Sequence, residues 1–197
     1  MLVFDIETIP NEERIKSRQW AEFKEKKQIK DDQDSALYPA FGQVVCICAW
    51  DQLNNRKFKK CVEDERDLLL SFNDFMSKDE ILAGQFIKGF DIPFLASRYI
   101  ANELSLPDPF RVANKKPWEI VHIDTAELLK FGGFSSPSLD AICLMFGIQS
   151  PKEGSVNALG VRQAFKEKRF TDIEKYCSMD VMQTNEVIRI LQKYGAM

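Results

Sequence analysis

The chain has a single histidine, His122, among 197 residues. That excludes zinc sites built from several histidines and limits any mechanism that needs a histidine base. Its five cysteines (Cys46, Cys48, Cys61, Cys143 and Cys177) are odd in number and show no Cys-x-x-Cys spacing. Set among apolar neighbours such as Val45, Ile47 and Ile142, they read as free, half-buried thiols of a reducing compartment rather than disulfides or a zinc site. No apolar run approaches the length needed to cross a bilayer, so no membrane partner is expected. The opening residues, Met1-Leu2-Val3-Phe4-Asp5, carry no basic leader, long apolar core or small-residue cleavage site. The expected compartment is therefore the cytoplasm. An excess of positive charge is also missing. Lys and Arg number 27 against 30 Asp and Glu, a formal net charge of −3. Nucleic acid thus meets no global attraction, although a cluster of metal-binding carboxylates lowers the formal charge until its cations arrive.

What remains is a soluble globular composition, 45% hydrophobic and 29% charged, without internal repeats, low-complexity stretches or flexible linkers. The length suits one domain spanning residues 1–197 with a sizeable core. Leu2 to Glu7 alternates in period two and predicts a strand. Residues 11–40 read as a charged, helix-bearing surface insertion. Gln43–Trp50 and Arg56–Val62 predict two further strands joined by a turn at Asp51–Asn55. A helix over Glu63–Lys78, a short strand at Glu80–Gly84 and a helix over Asp91–Leu104 follow. A last strand is expected over Trp118–Ile123, then helices near Asp124–Lys130, Ser138–Phe146 and Ser155–Lys168, and a final one from Thr171. Antiparallel strands first, then strand alternating with helix, imply a mixed sheet covered by helices.

The carboxylates carry the chemistry. Asp5 and Glu7 stand two apart on a strand and so share a face, with Leu2, Phe4 and Ile6 on the other. Two acids side by side repel unless a cation sits between them. Taken alone, the pair reads more readily as the solvated acidic face of a half-exposed strand than as a metal site. Asp180 lies on the apolar stripe of the last helix, Ile173-Cys177-Val181-Thr184-Val187-Ile188-Leu191, one turn beyond Tyr176. A carboxylate there is costly unless it is paired or metal-bound. Thr171 to Glu174 fits a capping box at the start of that helix. Asp91, before Ile92-Pro93, fits a helix N-cap. Asp124 with Glu127 fits another capping box, Asp140 sits inside a helical pattern, and His122 reads as structural.

Phe4-Asp5-Ile6-Glu7-Thr8, then Gly89-Phe90-Asp91, then Tyr176-Cys177-Ser178-Met179-Asp180 together resemble the three exonuclease motifs of the DEDD superfamily. The nearest likeness is to the proofreading exonuclease domain of family-B DNA polymerases and to stand-alone bacterial relatives. It runs from Phe4 to Thr184 and includes Ile87–Leu95 and Ser138–Ile142. Tyr176, four residues before Asp180, resembles the tyrosine branch of the superfamily. One departure stands out: Gln85-Phe86 follows Gly84 where members often carry His-Asn. The resemblance implies an α/β, ribonuclease H-like fold, a mixed five- or six-stranded sheet flanked by helices. It also implies a magnesium- or manganese-dependent 3′→5′ exonuclease releasing nucleoside 5′-monophosphates, with single-stranded DNA favoured over RNA. Asp5 would bridge two divalent ions, Glu7 and Asp180 would complete one site, and Asp91 would support the other. Tyr176 would orient the attacking water. Thr8 would touch the terminal nucleotide through its backbone, and Phe86 or Phe90 would wedge against its base. With no room for polymerase palm or fingers, a repair or replication partner is expected for any proofreading role. An exoribonuclease of the ribonuclease D type and a degenerate nucleic-acid-binding module are the alternative readings.

Overall fold

A computed structural model describes residues 1–149, 157 and 159–197. Five strands form one sheet: β1 (Leu2–Pro10), β2 (Gly42–Asp51), β3 (Arg56–Cys61), β4 (Leu82–Gly84) and β5 (Ile123–Asp124). Their order is β3-β2-β1-β4-β5. The first three are antiparallel neighbours, whereas β4 runs parallel to both β1 and β5. The helices are α1 (Arg18–Lys27), α2 (Glu65–Phe75), α3 (Asp91–Ala101), α4 (Thr125–Leu128), α5 (Leu139–Phe146), α6 (Val161–Lys166) and α7 (Phe170–Lys193). This is the mixed, helix-flanked α/β sheet of a ribonuclease H-like fold, with five strands.

The period-two alternation of β1 sorts its side chains between two cores. Leu2, Phe4 and Ile6 join Ile47 and Ala49 of β2 against Leu68, Leu69 and Phe72 of α2 and Leu95 and Tyr99 of α3. Val3 turns the other way and joins Cys46, Cys48 and Cys61 against Ile173, Cys177, Val181 and Ile188 of α7. Asp5 and Glu7 share that second face. Every expected stripe residue of α7, from Ile173 to Leu191, is buried.

Several local expectations are corrected. The strand expected over Trp118–Ile123 shrinks to Ile123–Asp124, because Pro117 starts a 3-10 turn over Pro117–Glu119 and has no N–H to offer a ladder. His122 is instead a buried bridge. Its Nδ1 accepts the Leu82 amide at 3.1 Å, and its Nε2 donates to the Pro109 carbonyl at 2.7 Å. Burial holds its pKa below the usual imidazole value, so the structural reading stands. The capping box expected at Thr171 does not form, since α7 begins one residue earlier with no side-chain cap. Glu174 takes the Cys61 amide at 2.9 Å instead, closing the end of β3. Asp124 does cap α4, but Glu127 pairs with Lys88 at 2.9 Å and leaves that box open. All five thiols are free and fully buried rather than half-buried. The helix expected over Ser155–Lys168 is shorter, α6 running Val161–Lys166 with Gly160 at its N-cap, and of the expected span Ser155, Val156 and Ala158 lie outside the described residues.

The charged segment 11–40 carries α1, whose N-cap Ser17 accepts the Trp20 amide. It is pinned by Trp20, which is buried, stacks near Phe23 and Phe41, and donates its indole N–H to Asp32 at 2.8 Å. No helix among the described residues is long and apolar enough to cross a membrane.

Candidate active site

The site grows from a mismatch in strand length. β4 pairs with β1 only at Leu2 and Val3, so the rest of β1 runs on past its short neighbour. The start of α3 stands beside that free edge. Asp91 is the first residue of α3, with Phe90 at the cap position and no side-chain capping bond. The expected capping role is therefore absent, and the carboxyl, 3% exposed, points into the molecule. Burial raises its pKa to about 7, against the pull of its own amide and that of Ile6 on β1.

From the other side, α7 lies across the sheet and brings Asp180 and Tyr176 to Asp5 and Glu7. Burial raises the Asp5 carboxyl well above the usual range, and Asp180, Asp91 and Glu7 push it further. Glu7 is raised for the same first reason, with Asp180 again the largest charge acting on it. Asp180 rises to about 7 through burial, then through the charge of Asp140. Burial keeps the Tyr176 phenol protonated far above neutrality, with Asp180, Glu7 and Asp5 reinforcing it. The residues read from the three sequence segments thus form one electrostatic cluster, although 175 positions separate Asp5 from Asp180.

The cluster fits a divalent cation on two observations. Asp180 Oδ1 is buried with no hydrogen-bond partner, a costly state for a carboxylate oxygen. Donor atoms of Asp5, Glu7 and Cys177 also lie within 4.8 Å of one another. All four acids have raised pKa values, chiefly through burial, and a bound cation would favour their charged forms. Their oxygens suit hard ions such as Mg²⁺ or Mn²⁺.

Around this centre the other expected residues take distinct places. The Thr8 hydroxyl donates to the Ala36 carbonyl at 2.8 Å, which leaves its side chain committed. Phe86 is 50% exposed and has a left-handed backbone, φ 59°. Asp124 holds this turn by accepting the amides of Phe86 at 2.9 Å and Lys88 at 3.0 Å. The Phe86 ring covers Gly89 so closely that a Cβ there would lie 2.4 Å from the ring. Phe90 is half-buried and packs on Phe94, with ring centroids 5.4 Å apart. Gln85 accepts from the Thr125 hydroxyl at 2.5 Å and donates to the Pro137 carbonyl at 2.9 Å. It ties the turn to α4 and to the approach to α5.

Sequence reasoning missed three contributors. Asp140, in the first turn of α5, is the strongest charge acting on Asp180. Forty residues separate the two, and a helical pattern carries no sign of that approach. Cys48 and Cys177 were read only as core. Yet Cys48 is the register partner of Asp5, and Cys177 Sγ donates to the Asp5 carbonyl at 3.4 Å. The position of Cys177 beside Tyr176 was the available signal.

No curated protein matches the chain. Among solved structures, the family B DNA polymerase from the hyperthermophilic archaeon Pyrobaculum calidifontis superposes with a TM-score of 0.67 at 19% identity. The match covers 97% of this chain and 24% of the polymerase chain, and at that identity it speaks for the fold alone. A family model matches residues 37–194, a span that takes in Asp91, Tyr176 and Asp180 but not β1. Asp5 and Glu7, on β1, lie outside that span. On that match, the chain belongs to the family of predicted 3′–5′ exonucleases related to the exonuclease domain of PolB.

Proposed function

We propose that the protein is a two-metal 3′→5′ exonuclease that releases nucleoside 5′-monophosphates from single-stranded DNA. The observation that carries this reading is the convergence of Asp5, Glu7, Asp91 and Asp180, with Asp180 Oδ1 buried and unpartnered. Asp5 would hold both ions, Glu7 and Asp180 would complete one site, and Asp91 would support the second. Bound there, Mg²⁺ or Mn²⁺ supplies a water of lowered pKa and offsets charge on the leaving 3′-oxygen.

The chain's own residues account for the rest. Tyr176, its phenol held protonated, is no base at neutral pH, so its hydroxyl serves to orient the attacking water. Phe86 presents an exposed ring on a turn fixed by Asp124, a platform for the terminal base. Phe90, partly packed on Phe94, backs that platform. Thr8, with its hydroxyl spent on Ala36, would meet the terminal nucleotide through its backbone. The chain spans 24% of the polymerase it superposes on, and a replication or repair partner would bring it to its substrate.

The test is a 5′-labelled single-stranded DNA incubated with the protein and Mg²⁺, Mn²⁺ or chelator, beside an RNA of the same sequence. Shortening from the 3′ end that needs metal, favours DNA and falls below about 1% in Asp5→Ala is expected. Asp5→Ala that keeps near wild-type activity while folded would remove the assignment.

A further inference from the structure

The face of the sheet that carries the acids also carries a second, softer set of donors. Asp5 faces Cys48 and Glu7 faces Cys46 across β1 and β2, while Cys177 descends from α7. The Sγ atoms of Cys46, Cys48 and Cys177 lie within 4.8 Å of one another, all three are buried, and none is in a disulfide. Their hydrogen bonds are weak and local. Ser178 donates to Cys48 Sγ at 3.3 Å, and Cys48 donates to the Glu174 carbonyl at 3.6 Å. A cavity of about 20 Å³ lies against Cys48, also lined by Lys59, Ser178, Val181 and Met182. That is room for about one water molecule.

Thiols used only as small apolar filler need not converge. Here two thiols from alternate residues of one strand meet a third from the helix above them, the donor set of a soft ion rather than a hard one. We propose that Cys46, Cys48 and Cys177 form a site for a thiophilic d¹⁰ cation, with Zn²⁺ as the representative ligand. Cys177 is the hinge between the two donor sets, because its Sγ also lies within 4.8 Å of donor atoms of Asp5 and Glu7. Binding releases the three thiol protons to solvent and forms three metal–sulfur bonds. The resulting complex carries a charge of −1 and leaves the fourth tetrahedral position to water. Lys59, the register partner of Cys48 on β3, supplies a positive charge next to it. None of this rests on the nuclease reading, since the thiols would bind whether or not the acids cut nucleic acid.

The experiment titrates Cd²⁺, as a spectroscopic stand-in for Zn²⁺, into the reduced full chain and follows sulfur-to-metal charge-transfer absorption. A band that saturates at one equivalent and is displaced by excess Zn²⁺ is expected. It should vanish in Cys48→Ala and Cys177→Ala and stay at full amplitude in Asp180→Asn and Cys143→Ala. No band, or a band that survives loss of Cys48 and Cys177, overturns the proposal. Where a cysteine variant fails to fold, X-ray absorption on the zinc-loaded wild type decides. A shell of three sulfurs at about 2.3 Å supports the site, and a shell of oxygen and nitrogen alone removes it.

Discussion

Glu65 Oε1 accepts the backbone amide of Val44 at 2.7 Å, next to the point where β2 carries one residue more than β1. Glu7 pairs with Cys46 and Thr8 with Val44, so Val45 is the extra residue of a bulge. Val44 and Ile47 turn to one core while Val45 and Cys46 both turn to the other. The bend this introduces lies beside Glu7, where a bulge can re-aim side chains. Glu65 does not act alone. Arg98 donates to it twice, at 2.9 and 2.5 Å, and Asn102 once at 2.9 Å, while another Arg98 nitrogen reaches the Pro39 carbonyl at 3.0 Å.

Removing Arg98 leaves Glu65, its side chain only 11% exposed, without its charge partner. Breaking one side of a buried pair costs about 3–5 kcal/mol, far more than a surface bridge contributes. Arg98→Ala is expected to lose that much in urea unfolding. Arg98→Lys should recover only part of it, because an ammonium cannot reproduce the forked contact. A loss under about 1 kcal/mol in Arg98→Ala would show that the bulge is held by other means.

Phe86 and Gly89 form a matched pair. The ring lies where a Gly89 side chain would be, so Gly89→Ala displaces the ring without touching an acid. Its effect on strand binding should match that of Phe86→Ala, raising KM by about 10-fold while kcat changes little. Loss of one stacked base corresponds to roughly 1–3 kcal/mol. Phe86→Asn is expected to stabilise the fold by about 1 kcal/mol, since asparagine tolerates φ 59° better than phenylalanine does. Unchanged KM in both Gly89→Ala and Phe86→Ala would take Phe86 out of the binding surface.

Tyr176 is tested by what it should leave alone. Tyr176→Phe removes one hydroxyl and keeps the ring packed in the α7 core. Turnover is expected to fall about 10- to 100-fold with the Mn²⁺ concentration dependence unchanged. An equal loss accompanied by weaker Mn²⁺ dependence would make the phenol a support for the metal site instead.

The parts legible in the sequence were those governed by local period. The two faces of β1, the stripe of α7 and the pairing of β2 with β3 all follow from alternation or helical spacing within one segment. The errors came where a side chain had two uses and distance chose between them. Asp91 precedes a proline in the first turn and reads as a cap, yet its carboxyl turns inward beside Ile6. Glu174 completes a capping pattern, yet the Cys61 amide, 113 positions away, takes it. Asp140 and Cys48 gave no signal, because their approach to Asp180 and Asp5 exists only once the sheet and helices are assembled. The acids themselves were legible as an ordered set; as single residues each had an ordinary structural explanation.

Acid crowding gives the last prediction its sign. Asp91 and Asp180 are raised to about 7 in the fold, against roughly 3.9 in an unfolded chain. Between those values the folded state binds more protons than the unfolded one, so stability is full below about pH 4 on this account and falls as pH rises towards 7. Other groups titrate in the same range, and the contrast that isolates these two is metal. Without divalent ions, the melting temperature should be lower at about pH 8 than at about pH 5, and Asp180→Asn should gain roughly 1–3 kcal/mol at the higher pH. Mn²⁺ should stabilise the wild type at about pH 8, lose that effect near pH 5 where the acids hold protons, and stabilise Asp180→Asn much less. Asp140→Asn removes the main charge acting on Asp180 and should move the onset of Mn²⁺ stabilisation to lower pH. Equal stabilisation by Mn²⁺ in wild type and Asp180→Asn would place the ion away from the cluster.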